Sequence, residues 1–414
     1  MRRGASRPAG RVQAIAGGSS VAEPASSASH AATGDRPAGP GPDRSAAGVR
    51  FPVLLAFTLS ACALPSQETV VQGPPLPPVP RLTVTDSVSA RTVLEIERVP
   101  GLTEAGRRSY ARFLTYPAPR AFALGSEGGL AWAANARDST EAEQRALAQC
   151  LRANGGRPCR LYARDQHVVW DGPAPVEPSP IAIAGEGWLL TQAPGFLRHG
   201  RDAVGAILWT HGRGSDMRRD GAAERLPTPL PFVQRFNNAG WDVWVLVRDP
   251  AHDVNYDPVL SFADASLRTA AQLLREAGYA RVVAAGQSAG GWAALAALDT
   301  PRLLDGAIAI AGAGLYQPPP GQVGRLDFPA LLERVRDTEA AVVVAMFAGD
   351  PLLPWPARSA AMLRRALGNR EGPVLVIDRP AGLYGHGAGA EPAFNDRYGD
   401  CILRTVAARQ AARC

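Results

Sequence analysis

The stretch Arg281-Val282-Val283-Ala284-Ala285-Gly286-Gln287-Ser288-Ala289-Gly290-Gly291-Trp292-Ala293-Ala294-Leu295-Ala296-Ala297-Leu298 decides the fold. After Arg281 it opens on a short apolar run, Val282-Val283-Ala284-Ala285, the pattern of a strand buried on both faces. Its close, from Ala289 onward, is rich in Ala and Leu and reads as a helix. Between the two, small residues on either side of Ser288 let the backbone turn sharply, so that the hydroxyl stands above the sheet edge. A serine so placed has the setting of a nucleophile. The plainer reading is a glycine turn between a strand and a helix.

Outward from this point, residues 181–414 alternate short apolar runs with amphipathic stretches. Strands are predicted over 203–209, 241–247, 281–285, 306–311, 341–347 and 373–377, and helices over 229–239, 261–277, 289–298, 357–367 and 397–409. In the helix over 261–277, Leu267, Ala270, Ala271 and Leu274 share one face and Gly278 stops it. Such alternation predicts a parallel α/β sheet with helices on both faces, and sheets of this kind gather their sites at the C-terminal ends of the strands. The run over 203–209 delivers His211-Gly212-Arg213-Gly214 to that edge.

The pentapeptide Gly286-Gln287-Ser288-Ala289-Gly290, taken with His211-Gly212-Arg213-Gly214, resembles the α/β-hydrolase superfamily of serine esterases and peptidases. The resemblance covers 181–414. It implies a doubly wound, mostly parallel sheet, no cofactor, and a triad in the chain order Ser, then Asp or Glu, then His. Five of the six histidines, His30, His167, His199, His211 and His252, precede Ser288. His386, in Tyr384-Gly385-His386-Gly387, is then the base. Two acids follow strands at the correct edge, Asp350 in Gly349-Asp350-Pro351 and Asp378; the family's placement of its acid favours Asp350. The N–H of Ala289 and an N–H from Gly212 or Arg213 are the implied oxyanion donors, and His211 a structural member of its loop. The implied chemistry is attack by Ser288 on an acyl carbonyl of a small-molecule or peptide substrate, with His386 moving the proton. Only the Pro- and Gly-rich 315–326 separates a strand from the next helix where such proteins often insert a lid, so an open site is expected. Carboxylic-ester hydrolysis is the reading adopted. A serine peptidase or amidase, and a non-catalytic envelope lipoprotein that keeps the scaffold for binding, are the alternatives.

The chain's first half carries no catalytic constellation. Residues 1–61 read as a disordered leader followed by a signal peptide: Arg50, the apolar run from Phe51 to Leu59, and Leu59-Ser60-Ala61-Cys62, which resembles a bacterial lipobox and makes Cys62 the expected lipidation site. The run is too short to span a bilayer as a mature helix. Translation from Val49 would give this signal its usual order. Residues 62–89 read as a Pro-rich tether, and 90–175 as a small α+β module with a helix begun by the capping box of Thr140 and Glu143. The expected setting is export, with a lipid anchor in the bacterial envelope at the periplasmic face of the outer membrane. The remaining cysteines, Cys150, Cys159, Cys401 and Cys414, are then expected to pair as neighbours into two disulfides. No spacing of His and Cys suits a metal.

Charge narrows the classes further. All 44 basic residues are arginine, so Schiff-base chemistry, a phosphate-loop lysine and a Ser-Lys pair are excluded. The net charge of +6 falls to +2 for a chain beginning at Cys62. No basic tract then favours a nucleic-acid partner.

Overall fold

The structure, a computed structural model, describes Leu82 and residues 91–125, 128–173, 179–213, 227–249, 256–317, 326–336, 338–410, 412 and 414. Cys62, the signal peptide and most of the tether lie outside the described residues. Both sheets of the molecule belong to one unit, Pro75–Cys414.

The first sheet is built from α1 (Glu104–Leu114), β1 (Ala121–Gly125), β2 (Leu130–Ala133), α2 (Ser139–Ala153), β3 (Cys159–Arg164) and β4 (His167–Val168), with strand order β2-β1-β3-β4 and antiparallel pairing throughout. Strand alternation sorts large from small residues. Phe122 and Leu124 face α1 and pack with its Tyr110 and Phe113 and with Tyr162 of β3; the Tyr110 and Phe122 rings pack edge to face with centroids 4.8 Å apart. Ala121 and Ala123 face α2, whose Ala142, Ala146 and Cys150 allow a close approach. The helix starts earlier than the expected capping box. Asp138 is its N-cap, accepting from Glu141 N at 2.8 Å, while the Glu141 carboxylate accepts from Arg137 N. Asp138 thus caps the helix, the Glu141 carboxylate ties the residue before the cap rather than Asp138 itself, and Thr140 lies inside the first turn.

A bridge joins Cys150 on α2 to Cys159 on β3. The second expected bridge is not formed. Cys401, buried, and Cys414, exposed, remain thiols that hydrogen-bond to one another, and the Cys414 thiol is pushed up to about 12 by burial first and by Cys401 next. Nearness in sequence thus brings the two thiols within hydrogen-bonding reach without joining them.

The second sheet contains β5 (Ala182–Gly185), β6 (Trp188–Gln192), β7 (Gly205–Thr210), β8 (Trp241–Arg248), β9 (Val282–Gln287), β10 (Gly306–Ile310), β11 (Ala341–Met346) and β12 (Val374–Asp378). Their order is β5-β6-β8-β7-β9-β10-β11-β12, with β6 antiparallel to its neighbours and every pair from β8 to β12 parallel. The helices are α3 (Val233–Asn238), α4 (Tyr256–Glu276), α5 (Ala289–Ala296), α6 (Phe328–Arg336), α7 (Pro356–Leu367) and α8 (Pro392–Ala407). One face of the sheet packs on α4, α5, α6 and α7 through residues such as Leu267, Leu295, Leu331 and Leu363; the other packs on α3 and α8 through Phe236, Phe394 and Ile402. Covered on both sides, β10 and β11 are buried along their whole length, which is why their sequences run apolar without alternation. This sheet, with its crossover between β7 and β8 and helices on both faces, is the α/β-hydrolase fold. No helix of the described residues is long and apolar enough to cross a membrane.

Candidate active site

Ser288 sits where β9, a central strand, turns into α5. Its backbone takes φ 55° and ψ −124°, a left-handed conformation that costs a non-glycine residue about 1–3 kcal/mol. Surrounding contacts hold it there. Ser288 N donates to Ile310 O at 2.9 Å and Trp292 N to Ser288 O at 3.1 Å. The approach is too close for side chains on the neighbouring glycines: a Cβ on Gly286 would lie 2.4 Å from the carbonyl carbon of Gly290, and one on Gly290 would lie 2.3 Å from Thr210 O. The glycines of the motif are therefore required by backbone packing.

Asp350 follows β11, and His386 lies in the loop after β12, both on the far side of β10 from β9. Asp350 is buried, and its Oδ1 accepts from Leu352 N at 2.9 Å and Leu353 N at 3.3 Å, fixing the carboxylate in the turn after β11. Its Oδ2 faces His386 Nδ1 at 2.9 Å. With Nδ1–H donated to that oxygen, Nε2 of the neutral ring is left as the basic nitrogen. The loop carrying His386 is tied to the rest of the edge: Gly385 N donates to Ala348 O at 2.8 Å, and Gln287 Nε2 donates to His386 O at 3.1 Å. Gln287 precedes Ser288, so one side chain links the serine's turn to the histidine's loop. Asp378 is engaged elsewhere, with Arg364 at 3.2 Å and Arg379 at 2.8 Å.

The turn after β7 lies against the nucleophile. A Cβ built on Gly212 would meet Ser288 Cβ at 3.1 Å and Gln287 Oε1 at 3.0 Å. The Ala289 amide opens α5, where helix geometry supplies no internal partner. His211 cannot serve as a base. It is buried, its Nδ1 lies 2.6 Å from Gly212 O, and its Nε2 accepts from Arg248 N at 3.0 Å. Burial first and the Arg248 charge second lower its pKa to about 3, so the ring stays neutral near pH 7. Both ring nitrogens are occupied by the backbone.

Two residues at this edge escape a reading of the sequence. Gln287 was visible only as the variable position of a motif. Arg248 ends a strand with nothing in its neighbourhood to mark it. Among the described residues, no group of three or more His, Cys, Asp or Glu side chains is placed to hold a metal ion.

Sheet order and the Ser288 turn together define a protein of the α/β-hydrolase fold. No family model and no curated protein matches the chain. Among solved structures, it is similar to the apo form of Thermogutta terrifontis esterase 2, with 15% identity, 55% of this chain and 95% of that chain covered and a TM-score of 0.39. It is also similar to Pyrococcus horikoshii acylaminoacyl peptidase, at 12% identity over 62% of this chain and 47% of that chain, TM-score 0.39. A puromycin-hydrolyzing peptidase of Mycobacterium tuberculosis gives 18% identity over 51% and 38%, TM-score 0.36. The chain spans less than half the length of each of these two peptidases.

Proposed function

We propose that this protein is a serine hydrolase that cleaves carboxylic esters through an acyl-enzyme. The observation that carries the reading is the 2.9 Å contact between His386 Nδ1 and the buried Asp350 carboxylate, at the same sheet edge as the strained Ser288. In this mechanism His386 Nε2 takes the Ser288 proton as Oγ attacks the acyl carbonyl, then returns it to the departing alcohol. Asp350 holds the ring in the Nδ1–H tautomer and stabilises the imidazolium. The N–H groups of Ala289 and of Gly212 or Arg213 receive the tetrahedral oxyanion. Water activated by His386 then hydrolyses the acyl-serine.

The membrane anchor belongs to the same proposal. It is supported by Leu59-Ser60-Ala61-Cys62 and by the Cys150–Cys159 bridge, a linkage suited to an exported protein. In a bacterial host, labelled fatty acid is expected to enter the wild type and not Cys62→Ser.

The catalytic test is labelling by a fluorophosphonate, expected on Ser288 and absent in Ser288→Ala. A folded wild type that takes no label overturns the reading. Faster turnover of p-nitrophenyl acetate than of aminoacyl p-nitroanilides is expected, and the reverse order would make the protein a peptidase.

A further inference from the structure

We infer that Arg248 is the positioning residue that aims the oxyanion donors, an inference that rests on the serine-hydrolase reading above. Arg248 ends β8, next to the end of β7, and is 0% exposed. From Nη2 it donates to the carbonyls of His211 and of Gly212, each at 2.8 Å, and from Nη1 to Thr210 Oγ1. Its own amide holds His211 Nε2, while His211 Nδ1–H donates to Gly212 O. Every carbonyl of the His211–Gly212 turn is therefore drawn toward one guanidinium.

Peptide planarity converts that into a direction for the amides. In a trans peptide unit the C=O and N–H point opposite ways. Pulling His211 O toward Arg248 turns Gly212 N–H away from it, and pulling Gly212 O the same way turns Arg213 N–H away as well. The turn lies against the nucleophile, since a Cβ on Gly212 would meet Ser288 Cβ at 3.1 Å, and in the inferred arrangement the amides turned from Arg248 face that side. A planar, forked cation is what this task requires. It can engage two carbonyls and a hydroxyl at once and never deprotonates, which a lysine ammonium on a flexible stem cannot reproduce.

Catalysis by such donors depends on their alignment with charge that exists only in the transition state. Arg248→Lys is thus expected to lower kcat on p-nitrophenyl acetate about 10²-fold or more, the range for loss of one oxyanion donor, with KM changed less than about threefold. Binding of an alkyl trifluoromethyl ketone, whose adduct with Ser288 carries the oxyanion, should weaken by the same factor as kcat/KM. Guanidinium ion added to Arg248→Ala should restore part of the lost rate. If the lysine variant does not fold, Thr210→Val, which removes one anchor of the guanidinium, carries the test: kcat should fall severalfold with KM unchanged. A folded variant with unaltered kcat, or with a loss carried in KM alone, overturns the inference. Fluorophosphonate labelling separates the two levels. A wild type that takes no label removes the hydrolase reading itself, whereas equal labelling rates in wild type and Arg248→Lys remove only the role of Arg248.

Discussion

Two loops leave adjacent parallel strands and meet at one edge of the sheet, yet they keep their shapes by different means. The turn at Ser288, after β9, is held by backbone against backbone, with glycines where any Cβ would collide. The turn at His211, after β7, is held by side chains that arrive from β8, chiefly Arg248. In the first arrangement the glycines that permit the contacts lie inside five residues, although those contacts reach Thr210 and Ile310. The second depends on strand register, which pairs Thr210 with Leu246 and so brings a residue more than thirty positions away beside the turn. Strain in one loop and a buried cation in the other serve a single geometry.

The largest expected effect separates the serine's turn from the group that drives it. Asp350→Asn keeps an oxygen to receive the amides of Leu352 and Leu353 but offers an NH2 to His386 Nδ1, reversing the tautomer. A fall in kcat of about 10⁴ is expected with little change in stability, while Asp378→Asn should stay within about twofold. Steady-state kinetics and thermal melts of both variants check this, and an equal loss in the two would remove the assignment. Next comes the place where the loops touch. Gly290→Ala puts a Cβ against the carbonyls of Thr210 and His211, at 2.3 and 2.5 Å, so both turns must shift together. We expect a rate loss of about 10²-fold from misplacement and about 3 kcal/mol of stability from overpacking, read from activity and urea unfolding of the same preparation. If activity survives intact, the loops are less coupled than their contact implies.

The smallest effect distinguishes the loops by pH. The His211 pKa is lowered to about 3, against an unfolded value near 6.5. The unfolded chain takes up this proton first, so stability present above about pH 6.5 is lost as pH falls toward 3. The loss is at most about 1.4 kcal/mol per pH unit. Urea unfolding between pH 7 and 5 should show a steeper decline for wild type than for His211→Gln. Parallel profiles would show that the buried ring has no such linkage.

The same contrast explains what a reading of the sequence can reach. Gly286 to Gly290 carries its own context, and six histidines leave a short choice of base, so Ser288 and His386 stand out from the residues alone. Asp350 follows from its place after an apolar run. Arg248 does not, because its significance exists only across the sheet. In the first sheet, β1 reads Ala-Phe-Ala-Leu-Gly and shows no polar alternation, since helices cover both its faces; β5 is a four-residue strand of Ala, Ile and Gly with equally little signal. The start of α2 was displaced by two residues because Asp138 outcompetes Thr140 as a cap. Cys401 and Cys414 lie close enough for their thiols to hydrogen-bond yet remain unbonded, and nearness in sequence gives no sign of that.

Buried amides join the two sheets across the seam near residue 175. Arg120, fully buried, donates to Gln166 Oε1 at 2.8 Å; Gln166 Nε2 in turn donates to Gly195 O at 2.7 Å, across the boundary between the two sheets. Asn238 and Asn395 reach back to the carbonyls of Leu114 and Thr115 at 2.7 and 3.1 Å. Composition changes near residue 175, but these amides form a single joint on both sides of it. Cutting the gene there would leave each half with buried donors and acceptors lacking partners, at about 1–3 kcal/mol apiece. The unit that can be transplanted, shuffled or inherited as a working piece is therefore the pair of sheets together.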